Sequence, residues 1–284
     1  MLIDDLDTPV VLIDLDGLED NLDRFQRYYD QHKIGLRPHI KTHKTVAISH
    51  MQIARGAIGL CCQTLGEAEV MVAGGVHTDI LIPYNIVGDI KLDRLTALAR
   101  QVPITVAVDS EYMVAGISGA AAEAGVTVGV LIEIESGGKR VGVLPEKSAE
   151  LGRIVDNAPG LELKGIMSFP TPPETRPFFL EALAQFDKAG LPHPVVSGGS
   201  TKTAFLAHEV PEFTEYRIGE YIAGGAGHLD AGCHTVEQCA IRVLTTVVSR
   251  PDENRACLDA GSKTMSSAGR DSDQGPRMGY VIEY

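Results

Sequence analysis

The 284-residue chain carries 38 acidic and 25 basic residues, which gives it a formal net charge of −13. This acidic balance argues against a nucleic-acid partner, because the phosphate backbone would be repelled. No uncharged apolar run is long enough to cross a membrane. The five cysteines lack the paired spacing of a metal site, so they predict reduced thiols in a cytoplasmic protein rather than a disulfide framework.

Strand-like and helix-like segments alternate along most of the chain. A strand over residues 10–13 precedes an amphipathic helix over residues 18–29, which opens with acidic residues as the helix dipole prefers. From residue 35 onward seven strands can be counted, and an eighth fits residues 214–217. Regular alternation predicts an α/β fold with a parallel sheet, and eight units predict closure into a TIM-type (β/α)8 barrel.

The pattern changes after residue 221. A glycine-rich stretch over residues 224–227 predicts a flexible join between two domains. Residues 239–249 and 255–258 then form β-branched or apolar segments without helices between them. We therefore predict a smaller β domain after the barrel.

The most unusual stretch is the basic block over residues 37–44, in which five of eight residues are lysine, arginine or histidine. A short strand precedes it and an apolar helical pattern follows it, so the block occupies a strand-to-helix turn. In a parallel α/β fold such a turn lies at the carboxyl end of a strand, where these folds place their chemistry. The block therefore predicts a site for an anion or an electrophile, although solvated surface charges are the alternative interpretation.

Local features of this block point to Lys41. Pro38 restrains the backbone before it, and alternation along an extended segment would place His39, Lys41 and His43 on one side. Cationic neighbours favour the neutral amine of a lysine, which is the form that Schiff-base chemistry requires.

The sequence Arg-Pro-His-Ile-Lys-Thr-His-Lys of this block resembles the cofactor-lysine motif of the D-threonine aldolase and D-serine dehydratase family, whose barrel is shared with bacterial alanine racemases. Further blocks resemble that family's opening strand, second barrel strand, phosphate loop and a strand near its C-terminal domain, in the family's order: residues 8–16, 59–63, 197–201 and 258–263. The resemblance thus covers most of the chain.

The resemblance implies a fold and a cofactor. The barrel would occupy residues 10–223, and residues 1–9 would join residues 224–284 in the β domain. Lys41 would hold pyridoxal 5'-phosphate as a Schiff base, with Arg140 facing the cofactor's phenolic oxygen. His39 and Gln63 would line the cofactor pocket. The phosphate would be held by the loop residues Gly198, Gly199, Ser200 and Thr201 together with Tyr221.

Two of these predictions also have an independent physical basis and a plain alternative. The loop over residues 197–201 follows a strand, and its glycines would let backbone amides approach a phosphate. Taken alone, such a loop is more often ordinary turn chemistry. Arg140 follows a long apolar strand, and a lone arginine in a loop is usually exposed to solvent. The matching family motifs favour the functional interpretation in both cases.

Metal binding is predicted not to involve the histidines of this sequence. His228 and His234, with Asp230 and Cys233 between them, have suitable donor atoms, but their spacing fits no standard site. The family's own metal is held by a Glu-His-Gly segment and a later His-x-Cys or His-x-Asp near the C-terminus. Neither occurs before Tyr284, so we expect either a protein without that metal or a β domain that is incomplete at its C-terminus.

The resemblance also implies a reaction class. It predicts a homodimeric lyase that cleaves D-configured 3-hydroxy amino acids to glycine and an aldehyde. Phe169 and Pro170 stand where the aldolase branch tends to carry a tyrosine and a histidine, and neither can act as a base. Dehydration of D-serine or 3-hydroxyaspartate, amino-acid racemisation, and a pyridoxal-phosphate-binding protein without turnover therefore remain alternatives. The β segment after Tyr221 counts against the last, since such proteins are single barrels.

Overall fold

A computed structural model describes residues 2–265, 279, 281 and 282. The chain divides into two compact units, one formed by residues 22–221 and one by residues 1–21 and 222–284. Within the described residues, no helix combines the length and the apolar character that a membrane span needs.

The elements alternate as the sequence predicts. The strands are β1 (Val10–Ile13), β2 (Gly35–Leu36), β3 (Leu60–Cys61), β4 (Ile80–Ile82), β5 (Ile104–Val108), β6 (Val128–Glu133), β7 (Leu161–Met167), β8 (Val195–Gly198), β9 (Glu215–Tyr216), β10 (Ile241–Leu244), β11 (Val247–Asp252) and β12 (Arg255–Leu258). The helices are α1 (Leu15–His32), α2 (Val46–Ala54), α3 (Leu65–Ala73), α4 (Asp89–Ala99), α5 (Glu111–Ala124), α6 (Ser148–Asp156), α7 (Arg176–Ala189) and α8 (Ala226–Asp230).

The larger unit is a barrel of eight parallel strands. Their order is β2-β9-β8-β7-β6-β5-β4-β3, which is sequential around the sheet once β2 is counted as the first strand. Backbone hydrogen bonds join the two end strands: the Ile58 amide donates to the Leu36 carbonyl at 3.0 Å, and the Cys61 amide donates to the Pro38 carbonyl at 2.8 Å. The sheet therefore closes, and the predicted TIM-type barrel is confirmed.

The barrel is built around apolar strands that are covered on both faces. Every residue of β5 and of β6 is buried, as expected for parallel strands with helices outside and a packed interior. Four side chains from β4 to β7 form a central cluster: Leu81, Ala107, Leu131 and Met167. Apolar side chains therefore form this part of the barrel core.

The smaller unit pairs distant parts of the chain. Strand β1 runs antiparallel to β10, with Val10 opposite Leu244 and Ile13 opposite Ile241, while β11 pairs antiparallel with β12. Because β1 takes its hydrogen-bond partner from this unit, the observed division falls after residue 21. The sequence analysis set the barrel at residues 10–223, whereas this division sets the larger unit at residues 22–221.

The predicted strand over residues 239–249 is also divided. Thr245 and Thr246 interrupt it, since the Thr245 hydroxyl and the Thr246 amide both donate to Oδ1 of Asp259, at 2.7 and 3.0 Å. At the two residues that separate β10 from β11, the Asp259 carboxylate thus accepts the hydrogen bonds in place of a neighbouring strand. Elsewhere, a 3-10 helix, Ala204–Glu209, follows the loop over residues 197–201.

Candidate active site

Lys41 lies in a tight turn that follows the first barrel strand. The turn is a 3-10 helix, Ile40–Thr42, and the Lys44 amide closes it by donating to the Ile40 carbonyl at 2.8 Å. The predicted extended segment with His39, Lys41 and His43 on one side is therefore wrong, because the backbone turns immediately after His39. The Lys41 side chain nevertheless remains exposed at the carboxyl end of the barrel.

A glycine from the loop after the eighth barrel strand presses against this turn. A Cβ atom built on Gly219 would lie 2.6 Å from the His39 carbonyl oxygen and 2.8 Å from Oγ1 of Thr42. Only glycine allows so close an approach without displacing the turn. The loop after β9 thus fixes the position of the lysine-bearing segment.

Four of the predicted site residues line one pocket at this end of the barrel: His39, Lys41, Gln63 and Arg140. The other four residues that line it are Pro83, Glu133, Phe169 and Arg217. They come from segments at or just after six different strands, which is how barrel enzymes assemble a site from their strand ends.

Arg140 is held at this pocket by two aromatic rings. Its guanidinium carbon lies 5.5 Å from the ring centre of Tyr84 and 5.5 Å from that of Phe169. The Lys41 ammonium nitrogen lies 5.7 Å from the same Phe169 ring. These are cation–π distances, so Phe169 holds both cations at the pocket although it cannot act as a base.

His39 is a buried imidazole beside positive charge. Burial, together with the charges of Lys41 and Arg217, lowers the pKa of His39 to about 3. Burial likewise lowers the pKa of His43 to about 4. Both imidazoles are therefore neutral near pH 7, and His39 offers the pocket a hydrogen-bonding ring without a charge.

Glu133, the last residue of β6, is a pocket residue that the sequence analysis missed. Only 2% of it is exposed, and burial raises its pKa to about 7 although the charges of Arg217 and Arg140 oppose the shift. Its Oε2 atom is buried and accepts no hydrogen bond from the described residues. The sequence feature that could have revealed it is a single carboxylate at the end of an otherwise apolar strand.

Arg217 was also missed, and it belongs to a buried polar chain. Its Nε donates to Oγ of Ser197 at 2.9 Å, and this hydroxyl donates to Oε1 of Glu215 at 2.6 Å. Nε of Arg37 donates to the other oxygen of Glu215 at 2.9 Å. Burial alone would lower the pKa of Arg37, but the carboxylates of Glu215 and Asp79 together outweigh it and raise the pKa. We call these four residues the barrel ladder.

The predicted phosphate loop follows β8, the seventh barrel strand. The Gly199 amide donates to Oγ1 of Thr171 at 2.7 Å, and a Cβ atom added to Gly199 would lie 2.8 Å from the Arg217 carbonyl oxygen. Ser200 is buried and Thr201 is half-buried. The loop thus packs directly against the segment that carries Arg217, although Gly198, Gly199, Ser200 and Thr201 are not among the residues lining the Lys41 pocket.

Tyr221 is placed differently from the other predicted residues. It is fully buried, and its hydroxyl accepts a hydrogen bond from Nε2 of Gln52 at 3.1 Å. Burial raises the pKa of the Tyr221 hydroxyl. Since Gln52 lies on α2, the helix that follows the lysine turn, Tyr221 ties that helix to the loop after the eighth strand rather than lining the Lys41 pocket.

In the part of the chain that the structure describes, no three histidine, cysteine, aspartate or glutamate side chains are grouped as a metal site would require. The rings of His228 and His234 stack with their centres 4.7 Å apart. All five cysteines are free thiols.

Comparisons with known proteins identify relatives of this chain. A model of the alanine racemase N-terminal domain matches residues 13–227, and a putative serine dehydratase domain matches residues 240–284. A D-threonine aldolase from Arthrobacter sp. is 32% identical across 92% of this chain and 73% of its own length. A D-threo-3-hydroxyaspartate dehydratase from Delftia sp. strain HT23 is 34% identical across 97% of this chain and 77% of its own length.

Solved structures show the same relationship. The crystal structure of a D-threonine aldolase from Filomicrobium marinum has a TM-score of 0.84 at 33% identity, covering 93% of this chain and 76% of that one. A mutant of a D-threo-3-hydroxyaspartate dehydratase, solved in a metal-free form, also has a TM-score of 0.84 at 33% identity, covering 93% of this chain and 74% of that one. The match to one family model over most of the chain, together with these relatives, shows that the chain belongs to the D-threonine aldolase and D-serine dehydratase family, on an alanine racemase-type barrel.

Proposed function

We propose that this protein is a pyridoxal-phosphate-dependent lyase that cleaves D-3-hydroxy amino acids to glycine and an aldehyde. The observation that carries the proposal is the position of Lys41, whose amine shares a pocket with two guanidinium groups, Arg140 and Arg217, at the carboxyl end of the barrel. Family membership supports the same conclusion, since the related proteins include a D-threonine aldolase and a 3-hydroxy-D-aspartate aldolase.

The donors of this pocket suit the cofactor. Pyridoxal phosphate carries an aldehyde, a phenolic oxygen and a phosphate, and the pocket offers an amine and two permanent positive charges. Phosphates in barrel enzymes are frequently held by the loops after the seventh and eighth strands. Here those loops contain Gly199 and Gly219, both of which approach neighbouring backbone more closely than a larger residue would allow.

Each residue then has a role. Lys41 would hold the cofactor covalently as a Schiff base, Arg140 would pair with the phenolic oxygen, and the loop over residues 198–201 would bind the phosphate. Tyr221 would support that site from behind through Gln52. The bound cofactor supplies an electron sink for the bond that breaks at or next to the α-carbon. The freed amine of Lys41 can take or return the α-proton.

The dehydratase reaction is the second candidate, because the Delftia dehydratase matches this chain over 97% of its length. In that reaction the α-proton leaves first and the β-hydroxyl follows. Racemisation would require a second acid or base on the opposite face of the substrate from Lys41, and the sequence supplies no evident candidate.

We also propose that the protein is a cytoplasmic homodimer. The five free thiols support a reducing compartment, and the dimer rests on the family resemblance. The family resemblance also suggests a divalent metal, and the metal-free form of a D-threo-3-hydroxyaspartate dehydratase mutant is the reason to test for it.

Two measurements test the proposed function. Borohydride reduction of the cofactor-loaded protein should fix the label on Lys41, and labelling of Lys44 or Lys202 with Lys41 unmodified would contradict it. Product analysis with D-threonine, D-serine, D-3-hydroxyaspartate and D-alanine, with and without chelator, then identifies the reaction. Glycine with an aldehyde indicates an aldolase, a 2-keto acid with ammonia a dehydratase, and L-alanine a racemase.

A further inference from the structure

The eight residues that line the Lys41 pocket differ in their ability to move protons. Gln63, Pro83 and Phe169 do not ionise, and the guanidinium groups of Arg140 and Arg217 offer hydrogen-bond donors but no acceptor for a proton. His39 is held neutral until the pH falls to about 3, the pKa to which burial and neighbouring charges lower it. Lys41 already holds the cofactor and handles the α-proton in the proposed function, so it is not counted again for a second proton. Among the residues that line this pocket, Glu133 is therefore the group left to exchange a proton near neutral pH.

The surroundings of Glu133 fit that task. Its Oε2 is buried and lacks a hydrogen-bond partner among the described residues, which is costly for a carboxylate unless a ligand or a proton satisfies it. The charges that act on it come from Arg140, just after β6, from Arg217, just after β9, and from Asp109, just after β5.

Two further groups with an ionisable nitrogen line the same pocket as Glu133. They are Lys41 and His39, both from the turn after β2. Because the nearby charges are of both signs and burial dominates, the carboxyl is kept close to the point where both of its forms are populated at neutral pH.

We propose that the Glu133 carboxylate is the base that removes the proton from the β-hydroxyl of the substrate. This rests on the proposed aldolase function. As the carboxylate takes the hydroxyl proton, the freed electron pair on oxygen forms the carbonyl of the aldehyde. The Cα–Cβ bond breaks and its electron pair stays on Cα, which later takes a proton to become glycine. The proton on Glu133 passes to solvent after the aldehyde leaves.

The role makes a directional prediction, because a base must be ionised. Cleavage should become faster as the pH rises through about 7, where Glu133 loses its proton. A carboxyl that instead gave its proton to a leaving hydroxyl, as in dehydration, would produce the opposite dependence.

The test uses the cofactor-loaded protein with Glu133→Gln, Glu133→Asp and a control, Glu123→Gln, at an exposed position on α5. We expect Glu133→Gln to lower kcat by about 10²- to 10⁴-fold, the range for a lost acid–base group, and to abolish the rise with pH. Glu133→Asp should keep that rise with a lower rate, and Glu123→Gln should behave as the wild type. Cofactor affinity should stay within a few-fold in all three.

A readout that does not depend on activity completes the test. Infrared difference spectra of the wild type should show a carboxyl band that titrates near neutral pH and disappears in Glu133→Gln. A Glu133→Gln enzyme that keeps the wild-type pH profile overturns the proposal, as does a large loss of cofactor affinity, which would indicate a structural role. If the wild type forms no glycine from any of these substrates, the proposed function itself fails, whereas an active wild type with an indifferent Glu133→Gln overturns only the role of Glu133.

Discussion

Two sets of buried polar residues lie in the same barrel and differ in how they are paired. The barrel ladder, Arg37, Glu215, Ser197 and Arg217, forms a continuous chain of hydrogen bonds. Glu133 lines the Lys41 pocket, and its buried Oε2 has no hydrogen-bond partner among the described residues. A paired set stabilises the position of its members, while an incompletely paired one is kept ready for a ligand. Arg217 belongs to both sets, so the ladder holds one wall of the pocket.

The largest expected effect is on the pocket side of this comparison. Lys41→Ala should lower activity by about 10³-fold or more, because it removes both the covalent attachment and an acid–base group, while the free energy of unfolding changes little since the side chain is exposed. Steady-state kinetics and urea unfolding check the two statements. Lys188→Ala, at an exposed position on α7, is the control.

The ladder should show the reverse pattern. Arg37→Met leaves the Glu215 carboxylate buried without its cation, and breaking a buried ion pair from one side costs about 3–5 kcal/mol of unfolding free energy. Arg94→Met, which breaks an exposed pair with Glu69, should change stability little. Urea unfolding of both variants is the measurement. Equal losses would show that burial of the ladder does not matter.

The pH dependence of the free energy of unfolding should reflect the titration of three groups in the pocket and in the turn beside it. In the unfolded chain, His39 and His43 take up a proton near pH 6.5. In the folded state they take up a proton only near pH 3 and pH 4, respectively. Both residues therefore lower the stability of the fold as the pH falls below 6.5. Glu133 opposes them, because the folded state takes up its proton from about pH 7 downward and the unfolded state only near 4.5.

As the pH falls from 6.5 to 4.5, the two histidines lower the free energy of unfolding and Glu133 raises it. Each group contributes about 1.4 kcal/mol per pH unit, so the net loss is also about 1.4 kcal/mol per pH unit. Urea unfolding of the cofactor-free protein at several pH values measures the slope, and His43→Asn should reduce it. Stability that rises on acidification through this window would contradict the predicted pKa directions.

The contact between the phosphate loop and Arg217 should give a smaller effect. In Gly199→Ala the new Cβ would lie 2.8 Å from the Arg217 carbonyl oxygen, and overpacking of this kind costs about 1–3 kcal/mol. We expect cofactor affinity to fall about tenfold in an absorbance titration. Gly119→Ala on α5 meets open space and is the matched control. Unchanged affinity would indicate that the loop is an ordinary turn.

The smallest effect is expected at Tyr221. Tyr221→Phe removes the acceptor of the Gln52 hydrogen bond, which is worth about 1 kcal/mol of unfolding free energy. Cofactor affinity should change less than in Gly199→Ala. A loss of affinity at unchanged stability would instead favour the direct phosphate contact predicted from the sequence.

Much of the fold was accessible from the sequence because it depends on local patterns. Apolar strands alternating with helices predict the barrel, and the basic block with the family's motifs predicts Lys41, His39, Gln63 and Arg140 at one pocket. These residues lie at strand ends, and parallel strands bring their carboxyl ends to the same edge. The order of the strands is then enough to predict which of these residues lie close together.

What the sequence could not supply depends on contacts between distant segments. The ladder pairs Arg37 with Glu215, and neither residue carries a local sign of the other. Glu133 is a single carboxylate whose importance comes from burial, which tertiary packing decides. The segment predicted to be extended is instead a 3-10 turn that begins at Ile40. The backbone hydrogen bonds of this turn stabilise it more than the alternating sequence pattern favours an extended backbone.

The pairing of β1 with β10 has a consequence for the synthesis of this protein. Strand β1 leaves the ribosome before every strand of the barrel, yet its partner, Ile241–Leu244, is made only after the entire barrel. At ordinary translation rates this interval lasts roughly ten to fifty seconds. During that time Val10–Ile13 is an unpaired apolar strand on the nascent chain, open to chaperones and to neighbouring chains.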